Sequence, residues 1–351
     1  MNITDLIQRV ESKQDLSQAE SSWLMGQIMD GNLDSEIVKQ VILGLKAKGE
    51  ASDEVIGFVD AMMSRTSPIT LEEISLDIVG TGGDQLGSVN ISSTAAIIAA
   101  AAGAIVVKHG NRAASSKSGS ADVLEALGIN LQLSADQIKD CISKVGIAFC
   151  FAPQFHPAMK NVAPIRKQIG VPTIFNILGP LANPAQPKSM LIGVADPNRA
   201  ELISEVLAER GVVGIVVSGD DGLDEITVTT TSTLWQFGDG KIVKSKLDPA
   251  DFNLGYYEIT DLLGGDANEN AQYLMQTLDP SNKTTKINAI RSAVVLNAAG
   301  GLLAYWLKQG KIQSPFDSSD WQLAIDAAQV AINSGAALDK LTKWQHFCAS
   351  L

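Results

Sequence analysis

The sequence is poor in cysteine, in aromatic residues and in basic charge. Three cysteines, Cys141, Cys150 and Cys348, stand in 351 residues. They are too few and too scattered for a disulfide framework or a zinc site, so a reducing compartment is expected. Aromatic residues make up only 5%, and a core must therefore be built mainly from Ala, Ile, Leu and Val. Lys and Arg total 27 against 39 Asp and Glu, a net charge of −12. Such an acidic body is a poor general partner for nucleic acid or an anionic membrane. An anionic ligand would have to find a local basic site. Long apolar runs are missing too. The longest, Ala95 to Val107, spans 13 residues and is mostly alanine, whereas a membrane span needs about 20. The first residues carry charge from Asp5 onward, unlike a signal peptide. The expectation is a soluble, cytoplasmic protein with no nucleic-acid or membrane partner.

Apolar residues at 45% and charged residues at 19% are ordinary for a globular chain, and the length suits about two domains. Residues 1–70 read as a small domain of about four short helices. Ile37, Val38, Val41, Ile42 and Leu45 recur at helical spacing, with Asp34 or Ser35 as the start and Gly49 as the stop. Near residue 74 the pattern changes to strand–helix alternation. Ile74 to Val79, Ile105 to Val107, Gly146 to Phe151, Met190 to Val194, Gly214 to Val217 and Ile226 to Thr231 read as strands, and Ser92 to Ala102, Ser120 to Leu127 and Arg199 to Arg210 as helices. This predicts a larger α/β domain with a mostly parallel central sheet flanked by helices. Its expected extent is 71–165 and 188–351. The Gly-, Pro- and Asn-rich stretch 166–187 reads as a return to the helical domain.

Four segments carry chemistry. Gly80-Thr81-Gly82-Gly83-Asp84 follows the first strand, and Asn90-Ile91-Ser92-Ser93-Thr94 heads the next helix. Glycines let backbone N–H groups approach a ligand, and a helix start offers unpaired donors and a positive dipole end. The arrangement suits a phosphate, and also a plain tight turn. Lys108 to Ser120 gathers cations, an amide, serines and glycines after the second strand, and by itself reads equally as a solvated polar loop. Two such loops at the carboxyl ends of parallel strands suit a ligand with two separated phosphates. Gly219 to Glu225 contains four carboxylates. It reads as an acidic surface turn or as an oxygen-only site for Mg²⁺ beside phosphate. His156 and Arg166 form the fourth group. Arg is the usual bidentate partner of a carboxylate, but a lone His or Arg is more often structural. His346 reads as structural.

Taken in order, these segments resemble the anthranilate phosphoribosyltransferase family. The carrying residues are the Asp77-to-Asp84 run, Asn90-Ile91-Ser92-Ser93, Lys108-His109-Gly110-Asn111-Arg112, the Ser115-to-Glu125 run, Phe155-His156-Pro157-Ala158-Met159, Phe175 to Pro184, Asp224-Glu225-Ile226-Thr227 and Asn270-Ala271. The resemblance implies transfer of phosphoribose from 5-phosphoribosyl 1-pyrophosphate (PRPP) to the amine of anthranilate in tryptophan biosynthesis. It implies Mg²⁺, as two ions with PRPP, and a homodimer joined through the helical domain. PRPP would be lined by Gly80, Gly83, Asp84, Ser88, Asn90, Ile91, Ser92 and Ser93, by Lys108, His109, Gly110, Asn111, Arg112, Ala113, Ala114, Ser115 and Ser116, and by Ser120. Anthranilate would meet Gly80, Asn111, His156 and Arg166. Ser92, Asp224 and Glu225 would hold the metal. Lys108, His109 and Arg166 would position substrates and offset charge, with no catalytic acid or base assigned. Ser93 stands where the family commonly has Thr, which retains the hydroxyl. A pyrimidine nucleoside phosphorylase on the same fold words its phosphate loops differently. A nucleic-acid-binding relative would need a basic face.

Overall fold

A computed structural model describes residues 1–113, 117–238 and 240–351. The chain forms two compact units, Met1–Pro68 with Ala152–Pro184, and Ile69–Phe151 with Ala185–Leu351.

The first unit is helical. Its N-terminal part holds four helices, Ile3–Glu11, Gln18–Met29, Ser35–Lys48 and Ser52–Met63. The helix Ser35–Lys48 buries Val38, Val41, Ile42 and Leu45 and ends at Gly49, whose φ is 90°. Glu54 anchors the turn that follows. Fully buried, it accepts the Leu16 and Ala51 N–H groups at 2.9 Å each and pairs with Lys48. The returning segment starts at Ala152, directly after a strand of the other unit, upstream of the expected start at residue 166. It consists of short helices, including Ala163–Ile169 and Phe175–Leu181.

The second unit is built on a sheet of seven strands among the described residues: β1 (Leu76–Gly80), β2 (Val106–Gly110), β3 (Ile147–Phe151), β4 (Ser189–Gly193), β5 (Val213–Gly219), β6 (Ser232–Gly238) and β7 (Lys241–Leu247). Their order is β3-β2-β1-β4-β5-β6-β7. β1 to β5 run parallel, and β6 and β7 are antiparallel additions. The apolar strands are buried on both faces, as parallel strands covered by helices must be. The connection order reverses between β1 and β4, the switch point outside which open parallel sheets bind ligands.

The helix Thr285–Lys308 packs against β1, β4 and β5. It is long and apolar enough to cross a membrane, yet 89% of its apolar window is buried inside the fold, so it serves as a core helix. Gly301 lets it approach the sheet, since a Cβ there would lie 2.6 Å from Ile78 Cδ1.

One expected strand is absent. Ile226 to Thr231 is irregular, and the chain enters the sheet only at Ser232. The strand-like pattern is the alternation of Ile226 and Val228 with threonines, but Thr227 is as fully buried as its two neighbours. Side chains hold much of the segment in place of a ladder. Asn297 pairs with both the N–H and the C=O of Ile226, and the Thr227 and Thr229 hydroxyls donate to Asp221 Oδ2 at 2.6 and 2.5 Å.

Candidate active site

The β1 and β2 ends carry the two expected loops. After β1, Gly82 and Gly83 have φ of 68° and 92°, a left-handed conformation that glycine adopts without steric cost. This turns the Gly82 N–H onto Asp224 Oδ2 at 2.7 Å. Gly80 ends β1 beside Gly193, which ends β4. A Cβ on Gly80 would overlap the Asp224 carboxylate, and one on Gly193 would overlap the Asp224 carbonyl. The acidic segment therefore occupies the crevice at the switch point because two strands end in glycine.

Asp224 and Glu225 are buried there, at 9% and 8% exposure. Glu225 Oε1 accepts the Ser92 N–H at 3.1 Å, at the start of the helix Ile91–Ala101. Burial, and then repulsion from Asp84, raises the Asp224 pKa to about 7. Burial, and then Asp224, raises that of Glu225 to about 8. Asp84 is raised as well, chiefly by burial. The compensating cation is Lys108 of β2, 2% exposed. Its Nζ donates to the Ile78 carbonyl at 2.5 Å and to Ser92 Oγ at 3.1 Å. Burial lowers its pKa against the pull of Asp77, Glu225 and Asp224.

These carboxylates outnumber their nearby cation, so the set favours a further positive charge. Among the described residues no three His, Cys, Asp or Glu side chains are grouped to hold a metal. Two carboxylates and the Ser92 hydroxyl leave other positions open to phosphate oxygens and water, which is the ligand habit of Mg²⁺. The donor set thus fits the metal as a partner of a phosphorylated substrate rather than as a resident ion.

The Asn90 side chain does not cap its helix. It donates to the Ser118 carbonyl at 3.3 Å and accepts from Asn270 Nδ2 at 2.9 Å, tying the first loop to the second. Asn270 in turn accepts the Gly265 N–H at 2.8 Å. The segment before it pairs with the first loop, Val89 N–H to Leu262 O and Gly264 N–H to Gly87 O at 2.9 Å each, and Ser88 bridges Leu263. Ser93 Oγ and Ser118 Oγ are buried without a hydrogen-bond partner among the described residues. Buried hydroxyls of that kind are costly unless a ligand satisfies them.

In the second loop Asp122 Oδ2 accepts the Ala113 and Gly119 N–H groups at 2.9 Å each. Ser120 Oγ donates to the Asn111 carbonyl, and the Asp77 carboxylate accepts the His109 N–H at 3.3 Å. Gly110 and Ser120 sit in contact, since a Cβ on Gly110 would overlap the Ser120 hydroxyl. Arg112 is paired at the surface of this loop. It forms a bidentate pair with Glu125 at 2.5 and 2.7 Å, contacts Asp122 at 3.2 Å and stacks on Phe151. The expected site residues Ala114, Ser115 and Ser116 lie outside the described residues.

His156 and Arg166 belong to the helical unit. His156 Nε2 lies 2.7 Å from the Ala182 carbonyl, which can only accept, and Nδ1 lies 2.7 Å from the Thr66 hydroxyl. Both ring nitrogens are therefore engaged within that unit, and Nε2 carries the proton. Burial lowers the His156 pKa below its ordinary 6.5. The unfolded chain gains a proton at mildly acid pH that the folded chain resists. The stability contribution is full above 6.5 and declines as pH falls below it. The urea midpoint is expected to drop between about pH 7.5 and about pH 5.5, and to drop less in His156→Gln. An equal drop in both proteins would remove His156 as its cause. Arg166 is exposed, lies over the Phe175 ring at 5.9 Å, and has no carboxylate partner among the described residues.

A model of a glycosyl transferase family, a/b domain, matches residues 72–338, and one of its helical bundle domain matches residues 4–66. Anthranilate phosphoribosyltransferases of Leifsonia xyli and a Nocardioides species are 45% and 46% identical, over 95% and 94% of this chain and 94% of each relative. The crystal structure of the Thermus thermophilus enzyme superposes with a TM-score of 0.89 at 34% identity, covering 98% of this chain and 99% of that one. The Saccharomyces cerevisiae enzyme in complex with PRPP and Mg gives 0.87 at 27% identity, covering 99% and 98%. Two glycine-ended strands around a buried acid pair, on a scaffold matched along nearly its whole length, lead to one assignment: the chain belongs to the anthranilate phosphoribosyltransferase family.

Proposed function

We propose that the protein transfers the phosphoribosyl group of PRPP to the amine of anthranilate, releasing pyrophosphate and forming N-(5-phosphoribosyl)anthranilate for tryptophan biosynthesis. The observation that carries this reading is the buried Asp224–Glu225 pair facing Lys108 at the sheet's switch point. Ser92, Asp224 and Glu225 would hold Mg²⁺, as two ions with PRPP. When bound, the metal supplies Lewis-acid neutralisation of the phosphate oxygens.

The bond from ribose C1 to the pyrophosphate oxygen breaks, and the bond from C1 to the anthranilate nitrogen forms. Positive charge grows on the sugar as negative charge leaves with pyrophosphate. Lys108 and the N–H groups of the Gly80–Asp84 loop offset the departing charge, which fixed charges and dipoles do without reorganisation. Attack from the opposite face inverts C1. An aniline-type nitrogen is nucleophilic while neutral, so its proton leaves after attack, to the substrate carboxylate or to water. Holding two substrates in line supplies much of the acceleration. Asn111 and Arg166 are assigned to anthranilate. Ser93 and Ser118, with their unpaired hydroxyls, are assigned to the PRPP phosphates. A homodimer joined through the helical unit belongs to the same reading, and sedimentation as a monomer at assay concentration would remove it.

Purified protein with PRPP and Mg²⁺ is expected to quench anthranilate fluorescence as product forms, and to leave thymidine with phosphate unchanged. Arg166→Ala is expected to raise the KM for anthranilate by about tenfold or more, the scale of a lost charged hydrogen bond, with the KM for PRPP little changed. Equal loss for both substrates would reject the carboxylate role.

A further inference from the structure

We propose that Asn297, remote from the substrate loops in sequence, is a positioning residue that holds the Asp224–Glu225 carboxylates in register. It sits mid-helix in Thr285–Lys308 and is completely buried. Its Oδ1 accepts the Ile226 N–H at 2.9 Å. Its Nδ2 donates to the Ile226 carbonyl at 2.8 Å and to the Ala293 carbonyl at 2.9 Å. One side-chain amide thus satisfies both backbone groups of the residue that follows Glu225, as a neighbouring strand would.

Its chain neighbours Val294, Leu296 and Ala298 are apolar and buried, so the helix needs no amide at this position for its own packing. A buried amide is tolerated when its hydrogen bonds are made, and here the bonds are spent on one loop residue. The same helix meets the Ile226 side chain, because a Cβ on Gly300 would lie 3.0 Å from Ile226 Cδ1. On the other side the Asp224 carbonyl rests against Gly193, where no side chain could fit. Ile226 is therefore gripped by main chain and side chain from one rigid helix, and the two preceding residues are pressed against the end of β4. A loop with no ladder of its own gains the position of a strand, and its carboxylates gain a fixed separation from Ser92 and Lys108.

The inference rests on the reading of Asp224 and Glu225 as metal holders. The test is Mn²⁺ binding, followed by electron paramagnetic resonance with PRPP present and anthranilate absent. Asn297→Ala is expected to weaken Mn²⁺ about tenfold, the scale of a lost supporting contact to a metal ligand. The Mg²⁺ concentration for half-maximal turnover should move by the same factor. Affinity for metal-free PRPP and the KM for anthranilate should stay unchanged. Asn297→Asp, which retains the acceptor for the Ile226 N–H but turns an oxygen toward the Ile226 and Ala293 carbonyls, should shift in the same direction by at least as much. A residue that only fills the core would lower the melting temperature and leave Mn²⁺ affinity untouched, and that result in either folded variant overturns the proposal. Failure of both variants to fold would assign Asn297 to the core alone and overturn it equally. Asp224→Asn with Glu225→Gln, run alongside, separates the two readings. If that variant also leaves Mn²⁺ affinity unchanged, the metal assignment itself fails. If it weakens Mn²⁺ and the Asn297 variants do not, only the role of Asn297 fails.

Discussion

Asp224→Asn combined with Glu225→Gln is expected to lower turnover at about millimolar Mg²⁺ by about a hundredfold or more, because metal neutralisation of departing phosphate is worth several kcal/mol and each 1.4 kcal/mol is about tenfold. Each amide retains the shape of its carboxylate and one of the two acceptor oxygens. Glu225→Gln can still accept the Ser92 N–H, and Asp224→Asn the Gly82 N–H. What disappears is negative charge. Activity should return in part as Mg²⁺ is raised, while an unchanged metal titration would show that these carboxylates do not hold the ion. The loss is not expected to be a folding defect. Burial already opposes ionisation of both groups, so removing their charges relieves the metal-free fold, a trade of stability against activity that is common at sites. A lower urea midpoint in the variant would contradict that account.

Gly193→Ala should be nearly as damaging by a different route. The added methyl group has no space, because the Asp224 backbone carbonyl occupies it and the Glu225 nitrogen is 3.1 Å away. Neither atom is the flexible end of a side chain, so either β4 or the acidic segment must move. Overpacking of this kind costs about 1–3 kcal/mol of stability. A displacement of about 1 Å at the reacting centre costs about a hundredfold in rate. The expected result is a folded but less stable protein with kcat/KM reduced about a hundredfold, read by steady-state kinetics beside urea denaturation. Gly179→Ala is the control for folding. A Cβ there meets nothing within 4 Å, and stability should stay within about 0.5 kcal/mol. A Gly193→Ala enzyme with normal kinetics would show that the close approach at the switch point is not needed.

Both loops could be read from the sequence because their signals are local. Val79-Gly80 ends an apolar alternation, and Gly82-Gly83 marks a turn requiring positive φ. Lys108 follows a second apolar strand, and a basic residue in such a place stands out within an acidic chain. The same locality misled at Ile226 to Thr231. Apolar residues alternate there with threonine at the period of a strand, but Asn297 takes both backbone groups of Ile226 and Ser232 Oγ accepts the Thr227 N–H. Arg112, which the family resemblance places at PRPP, is paired with Glu125, thirteen residues on, a partner that its own segment does not show. His156, placed along the anthranilate path by the family resemblance, has its ring nitrogens within hydrogen-bond distance of Thr66 and the Ala182 carbonyl, contacts that no local pattern shows. The antiparallel strands β6 and β7 went unread. Ser232 to Gly238 is buried throughout, while the edge strand Lys241–Leu247 is mostly polar, so neither displays a clean alternation.

Composition, hydrophobic period and turn chemistry act over a few residues, and they were enough to specify a helical unit, a mostly parallel α/β unit, two donor-rich loops and an acidic segment. Joining these parts depended on contacts between residues far apart in the chain. Ser92 meets Glu225 across 133 positions, Gly82 meets Asp224 across 142, and Asn270 meets Asn90 across 180. No local propensity encodes such pairings. They follow from strand order, which sets Gly80 beside Gly193, and from a single core helix that carries Asn297 to the back of the acidic segment.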